Sequence, residues 1–158
     1  MSDQHPAFIT PVAVLDHWQG HRRLTRRVIA AFPDDQLFTF SVGGMRPFGA
    51  LASEMLGMTL PMVNGALSGE WAMSGAPAPA TKDDLLAQWD ETTSRLDALF
   101  PQLPSERFLE TMTAFGQYTG PLHQLLLYVI DNEIHHRGQG YAYLRALEIE
   151  PPAFFDRN

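Results

Sequence analysis

The sequence predicts an all-α protein of four helices in a single domain that spans residues 1–158. Four segments repeat apolar residues at the three- and four-residue spacing of an amphipathic helix, and breaks marked by Pro and Gly separate them. The chain has 158 residues, of which 45% are hydrophobic and 18% charged. A chain of this length and composition can enclose one hydrophobic core.

Helix one is predicted from about Pro11 to Phe32. Thr10 can cap its N-terminus, and the proline that follows Phe32 stops it. Helix two is predicted from about Pro47 to Leu67, where apolar residues recur every three or four positions. Pro61 lies inside this helix and predicts a kink, because proline lacks the backbone N–H of one helical hydrogen bond.

Helix three is predicted from Thr81 to about Phe100, after a loop over Ser68–Ala80 that is rich in Gly, Ala, Pro and Ser. Thr81 is the expected N-cap, with Asp84 at the acidic position of a capping box. Residues 102–120 have no helical pattern. Within them, Arg107–Phe115 alternates enough to predict a short extended piece.

Helix four is predicted from Pro121 to about Leu147. Gly138 and Gly140 lie inside it, and each costs up to about 1 kcal/mol relative to Ala. Their presence predicts close contact with a neighbouring helix or with a ligand.

Composition excludes several classes of site and partner. The chain has no Cys, so a metal would need nitrogen and oxygen ligands, and cysteine nucleophiles are excluded. The net charge of -7 argues against nucleic acid as a partner. No run approaches the ~18 apolar residues of a membrane span, so no membrane association is expected. Because Met1–Phe8 lacks the pattern of a signal peptide, we expect a cytoplasmic protein.

Helix one carries a local basic cluster made of Arg22, Arg23, Arg26 and Arg27. Two interpretations are open, the solvated face of a helix and a phosphate-binding patch, and the first is the commoner.

Glu54 is the most informative single residue, because it is the only ionisable side chain between Arg46 and Glu70. It lies three positions after Leu51 and four before Met58, so it shares the apolar stripe of helix two. A carboxylate there must be protonated, paired or bound to a cation. The alternative is a carboxylate at the rim of the bundle or one bonded to a helix end.

Helix four offers a partner for this carboxylate in the run Asp131–Gln139. A rotation of about 100° per residue places His136 inward with the apolar residues and His135 on the solvent side. Glu133 and His136 also have the Glu-x-x-His spacing of metal-binding bundles. A core histidine bonded to a backbone carbonyl is the alternative.

Two segments carry a resemblance to a known family. The run Asp131–Gln139 contains His-His-Arg-Gly-Gln and continues through 141–145 to Glu150-Pro151-Pro152. Upstream, Arg46-Pro47-Phe48 leads to Glu54-Met55-Leu56-Gly57. These runs resemble the last and second helices of the DinB/YfiT-like superfamily of metal-binding bundles, over nearly the whole chain. The resemblance implies a four-helix bundle with up-down-down-up topology that is often a homodimer.

The resemblance also implies a metal site. The usual ligands in this family are three histidines, one on the second helix and two on the last. Here Glu54, Asn132 and His136 stand at those positions. Oxygen donors make the site harder, so we expect nickel or zinc, with iron or manganese as alternatives. Glu133 is the reserve ligand in place of Asn132.

The activity that the resemblance implies is activation of a low-molecular-weight thiol, such as bacillithiol or mycothiol, by the metal. The expected function is a metal-dependent, thiol-dependent transferase or hydrolase of small-molecule substrates, in which Gln139 or Tyr143 would bind substrate. The alternative function is a non-catalytic, stress-associated dimeric binding protein with a degenerate metal site.

Overall fold

Four α-helices make up most of the chain in the computed structural model, which describes residues 8–158. They are α1, Pro11–Ala31; α2, Phe48–Ser68; α3, Lys82–Leu99; and α4, Leu122–Ala146. Each predicted boundary lies within one residue of the observed one, so the prediction of a mainly helical fold is confirmed. The expectation drawn from Met1–Phe8 rests on residues outside the described range, apart from Phe8 itself.

Side-chain caps fix the starts of two helices. The backbone N–H of Ala13 donates to Thr10 Oγ1 at 3.2 Å, and that of Asp84 donates to Thr81 Oγ1 at 3.2 Å. Each bond satisfies one of the N–H groups that a helix start leaves without a partner. Both predicted caps are therefore confirmed. α2 continues through Pro61 as one helix, and the kink expected there stays a prediction.

A β-hairpin precedes the last helix. It consists of β1, Thr111–Ala114, and β2, Tyr118–Pro121, which pair antiparallel with Ala114 opposite Tyr118. Phe115 and Gly116 turn the chain with φ values of 53° and 67°. The expected extended piece is present over Thr111–Ala114, but the expectation is wrong for Arg107–Leu109, which belong to a 3-10 helix over Ser105–Leu109. The sequence did not predict a second strand.

The core consists of two clusters of buried side chains at opposite ends of the helices. The first joins the beginnings of α1 and α4 to the ends of α2 and α3; its members include Trp18, Val63, Leu96 and Leu126. The second joins the end of α1 and the end of α4 to the beginnings of α2 and α3, with Ile29, Leu51, Leu85 and Leu144 among its members. α4 packs mainly on α1 and α2, which brings the Asp131–Gln139 run close to both helices.

The two glycines of α4 have different surroundings. A Cβ atom on Gly140 would lie 2.5 Å from the ring of Phe48, whereas one on Gly138 would meet nothing within 4 Å. The expected close approach of a neighbouring helix is confirmed at Gly140 and wrong at Gly138, which lies on the exposed side of the helix.

The basic cluster of α1 is not a uniform solvated face. Arg22 is fully buried, and its guanidinium lies 4.2 Å from the centroid of the Trp89 ring. It donates to Thr59 Oγ1 at 3.2 Å and to Thr93 Oγ1 and Trp89 O at 3.1 Å each. Arg23 is exposed and bonds only to the backbone oxygen of Arg157 among the described residues. The solvated-face interpretation is therefore wrong for Arg22.

Within residues 8–158, none of the helices combines the length and the apolar character that crossing a membrane requires.

Candidate metal centre

Glu54 and His136 meet between α2 and α4. Glu54 Oε1 lies 3.2 Å from His136 Nε2. His136 is buried, whereas the Glu54 side chain is one-third exposed, with 33% of its surface accessible. His135, the next residue, is exposed, which confirms the predicted orientation of the histidine pair. The pair therefore joins a buried imidazole to a partly exposed carboxylate.

Gln139 fixes the orientation of the His136 ring. His136 Nδ1–H donates to Gln139 Oε1 at 2.7 Å, while the Gln139 amide nitrogen faces Met45 Sδ at 3.2 Å. An amide oxygen can only accept, so Nδ1 carries a proton. Nε2, the other ring nitrogen, faces a carboxylate oxygen at 3.2 Å. Because that oxygen is an acceptor, the contact needs either a proton on Nε2 or a metal ion in its place.

Arg46 holds the other oxygen of the carboxylate. Its Nη1 lies 2.5 Å from Glu54 Oε2, and its backbone oxygen accepts a hydrogen bond from Tyr143 OH at 2.9 Å. Burial acts to raise the pKa of Glu54, but the bonds and charges of Arg46 and His136 outweigh it, so the pKa lies below its ordinary value. Glu54 is therefore ionised at neutral pH, which is the form that binds cations.

Asn132 lies one helical turn before His136 and faces a different neighbour. Its amide nitrogen donates to Met58 Sδ at 3.3 Å, and Met58 lies one turn after Glu54 on α2. The two pairs are successive contacts between α2 and α4. The side-chain oxygen of Asn132 makes no hydrogen bond to any residue within 8–158.

Glu133 belongs to another part of the molecule. It is buried, with its carboxylate accepting from Thr25 Oγ1 at 2.6 Å, and burial raises its pKa against the opposing effects of Arg22, Thr25, Arg137 and Trp18. Three residues on a helix are about 300° of rotation, so Glu133 diverges from His136 by about 60° and faces α1 instead of α2.

The expectation that Glu133 is the reserve ligand is therefore wrong. Over the described part of the chain, no three His, Cys, Asp or Glu side chains come together as a group that could hold a metal ion. Any ion between α2 and α4 would have two such ligands, Glu54 and His136, with an amide oxygen or solvent completing its coordination.

The separation of Glu54 and His136 suits two ligands of one ion. Donors at about 2.1 Å from an ion lie roughly 3.0 to 3.4 Å apart when the angle at the ion is between about 90° and 109°. The observed 3.2 Å lies in this range. The contact of His136 with Gln139 is also the kind of hydrogen bond that ligating histidines usually make through their other nitrogen. The donor set therefore fits a divalent ion.

Arg46 was not among the site residues deduced from the helical pattern. Helical spacing finds neighbours three or four positions apart, whereas Arg46 lies eight positions before Glu54 and outside α2. The one available signal was that Arg46 is the nearest preceding cation to a carboxylate that required a partner.

Comparisons with known proteins agree with the helical architecture. The sequence model of the DinB family matches residues 1–156. A DinB-like protein from Bacillus cereus ATCC 10987 has 16% identity and a TM-score of 0.76, covering 94% of this chain and 100% of its own. The DinB-like protein YjoA from Bacillus subtilis has 17% identity and a TM-score of 0.74, covering 92% and 99%.

A third crystal structure is more distant. A histidine-to-alanine variant of the mycothiol-dependent maleylpyruvate isomerase has 14% identity and a TM-score of 0.64, with 84% of this chain covering 61% of that one. At these identities the structural likeness establishes a shared fold. None of the curated proteins matches the chain.

Proposed function

The chain belongs to the DinB family, and we propose that it binds one divalent metal ion between α2 and α4 for chemistry on a small molecule. Glu54 and His136 would hold the ion, with Asn132 completing or bordering its coordination. Nickel or zinc is favoured by the mixture of nitrogen and oxygen donors, with iron or manganese as further choices. The observation that carries this proposal is the 3.2 Å approach of His136 Nε2 to the ionised Glu54.

A bound divalent ion would act as a Lewis acid that lowers the pKa of a coordinated thiol or water. The residues of the chain prepare the site for this role. Gln139 holds a proton of His136 on Nδ1. Nε2 is therefore the ring nitrogen that would bind the ion. Because Glu54 and His136 would supply only two donors, a bound ion could also coordinate solvent, a thiol or a substrate.

In this proposal a low-molecular-weight thiol, such as bacillithiol or mycothiol, binds together with the small-molecule substrate. Support comes from the fold shared with a mycothiol-dependent maleylpyruvate isomerase. The reaction would be a thiol-dependent transfer to, or isomerisation of, an electrophilic small molecule, or its hydrolysis.

The proposal extends to architecture and assembly. Up-down-down-up topology is supported by the two core clusters, one of which joins the beginnings of α1 and α4 to the ends of α2 and α3. We further propose that the protein is a cytoplasmic homodimer without nucleic-acid or membrane partners. The resemblance to the family supports the dimer.

A non-catalytic binding protein is the second candidate function. Two observations favour it: Arg46 already compensates the charge of Glu54, and Asn132 is directed towards Met58. In this case the position between α2 and α4 would hold an ion pair in place of a metal.

Metal analysis separates the two candidates. The protein, prepared without a chelating tag, is dialysed against nickel or zinc and analysed by mass spectrometry. We expect about one ion per chain, lost in Glu54→Ala and in His136→Ala. His135→Ala is the matched control, because it removes the adjacent exposed imidazole. Undiminished metal in His136→Ala would exclude that residue from the site.

A thiol screen follows if metal binds. Bacillithiol and mycothiol are each mixed with a panel of electrophiles, and thiol consumption is measured with the wild type and His136→Ala. Consumption that requires both metal and His136 supports the enzyme. Metal binding without consumption across the panel favours the non-catalytic candidate.

A further inference from the structure

Arg46 combines a fixed backbone with an exposed side chain. It lies in the connection between α1 and α2, after Gly43 and Gly44, whose φ values are positive. The hydrogen bond from Tyr143 OH to the Arg46 backbone oxygen, 2.9 Å long, anchors this position. More than half of the side-chain surface, 55%, is exposed. The guanidinium can therefore leave Glu54 without any change in the backbone.

Arg46 and a metal ion would compete for the same carboxylate. Arg46 Nη1 lies 2.5 Å from Glu54 Oε2, and the proposed ion would contact Oε1 of the same group. A guanidinium and a divalent ion within about 5 Å of each other repel, and nearby solvent and salt reduce this repulsion without removing it. Occupation of the site by metal therefore favours a conformation in which Arg46 has moved away from Glu54.

A displaced Arg46 would be well suited to bind an anion. A guanidinium has five N–H donors arranged to bind a carboxylate with two parallel bonds. Within residues 8–158, the Arg46 side chain makes one hydrogen bond, and its acceptor is Glu54. Its remaining donors face solvent beside the proposed metal position.

We propose that Arg46 is an anion-binding residue that pairs with Glu54 when metal is absent and with a carboxylate-bearing substrate or thiol when metal is bound. The inference rests on the proposed metal site and adds the class of ligand that the site selects. It makes the two binding events cooperative. An anion that engages Arg46 removes a competitor from Glu54, so the metal and the anion each strengthen the binding of the other.

Calorimetric titration with nickel chloride tests the competition. Arg46→Ala is expected to bind nickel on the order of tenfold more tightly than the wild type, because one nearby positive charge is removed. Arg145→Ala is the matched control: Arg145 is an exposed arginine on α4, about 13 Å further along the helix than His136. It should bind nickel like the wild type.

Titration of the nickel-loaded proteins with succinate, a simple dicarboxylate, tests anion binding. Arg46→Ala should bind succinate at least about fivefold more weakly than the wild type and Arg145→Ala. Arg46→Lys should lie between them, since lysine keeps the charge but not the paired donors.

Each negative result has a distinct meaning. Equal nickel affinity in the wild type and Arg46→Ala, or equal succinate affinity in them, overturns the inference and leaves the metal site standing. Failure of the wild type and of every variant to bind nickel overturns both the metal site and the inference.

Discussion

At the scale of single residues, the hydrogen bond from His136 Nδ1–H to Gln139 Oε1 determines which nitrogen faces Glu54. Without it, the ring can rotate and carry its proton on either nitrogen. We therefore expect Gln139→Ala to bind nickel or zinc roughly tenfold or more weakly than the wild type, as happens when other hydrogen-bond partners of ligating histidines are removed. Gln124→Ala changes an exposed glutamine of the same helix and should have no effect. Equal affinities in calorimetry would show that Gln139 does not position the ring.

His21 is a second histidine in an unusual environment. It is buried, and its Nδ1 accepts a hydrogen bond from Arg137 Nη2 at 3.0 Å. Burial, followed by the charges of Arg137 and Arg157, lowers the pKa of His21 to about 3. Its pKa in the unfolded chain is about 6.5. The unfolded state therefore binds a proton first as the pH falls, and His21 causes a loss of stability from about pH 6.5 down to about pH 3.

His21→Gln tests this pH dependence, because glutamine keeps an acceptor for Arg137 and does not titrate. We expect the free energy of unfolding of the wild type to fall more steeply between pH 7 and pH 4.5 than that of His21→Gln, as measured by urea denaturation. His135→Gln removes an exposed histidine of α4 and should follow the wild-type slope. Parallel profiles for the wild type and His21→Gln would contradict the assignment.

At the scale of helices, α4 packs tightly against Phe48 of α2 at Gly140. The ring of Phe48 that a Cβ at Gly140 would meet is itself fully buried and stacked on Phe32, with ring centroids 4.9 Å apart. It therefore has little room to move. We expect Gly140→Ala to cost about 1–3 kcal/mol of stability through overpacking. Gly138→Ala should instead stabilise by up to about 1 kcal/mol, because its surroundings are open and alanine favours the helix.

Thermal unfolding of the two alanine variants gives a comparison within one helix. The expected shifts have opposite signs, with the unfolding temperature lower for Gly140→Ala and higher for Gly138→Ala. Equal shifts would mean that the packing of α2 on α4 is looser than the contact with Phe48 indicates.

The helices could be predicted because each repeats its apolar residues over many turns and carries a recognisable start or stop. β2 could not, since its four residues, Tyr118–Pro121, include Gly and Pro and show no alternation. The meeting of Glu54 and His136 followed from the inward faces of two helices. The contact between Glu54 and Arg46 could not be predicted in this way, because it depends on the path of the loop between α1 and α2. Gly138 and Gly140 could not be told apart without knowing which face meets α2.

At the scale of the whole molecule, buried polar side chains link the helices that the apolar core packs together. Arg22 joins α1 to Thr59 of α2 and to Thr93 of α3. On the other side of α1, Arg137 and Glu133 of α4 bond to Thr25. Charged groups at such depth are tolerated only when they have partners, and we expect this network to select one arrangement of the helices among those that bury the same apolar surface.

Arg22 and Arg23 offer a direct test of that role, because they are adjacent arginines with opposite environments. Burial lowers the pKa of Arg22 to about 10, so the side chain still carries its charge at neutral pH. Arg22→Ala should cost about 3–5 kcal/mol, since it empties a buried volume and leaves Thr59 and Thr93 without a donor. Arg23→Ala removes an exposed side chain and should cost about 1 kcal/mol or less.

Urea denaturation monitored by tryptophan fluorescence measures both changes, because Trp89 stacks against Arg22. Arg22→Met separates packing from hydrogen bonding: methionine restores much of the volume but none of the donors. A loss for Arg22→Met close to that of Arg22→Ala would assign the stabilisation to the hydrogen bonds that tie α1 to α2 and α3. A loss close to that of Arg23→Ala would show instead that filling the space between these helices is sufficient, and the proposed selective role of the charge would be wrong.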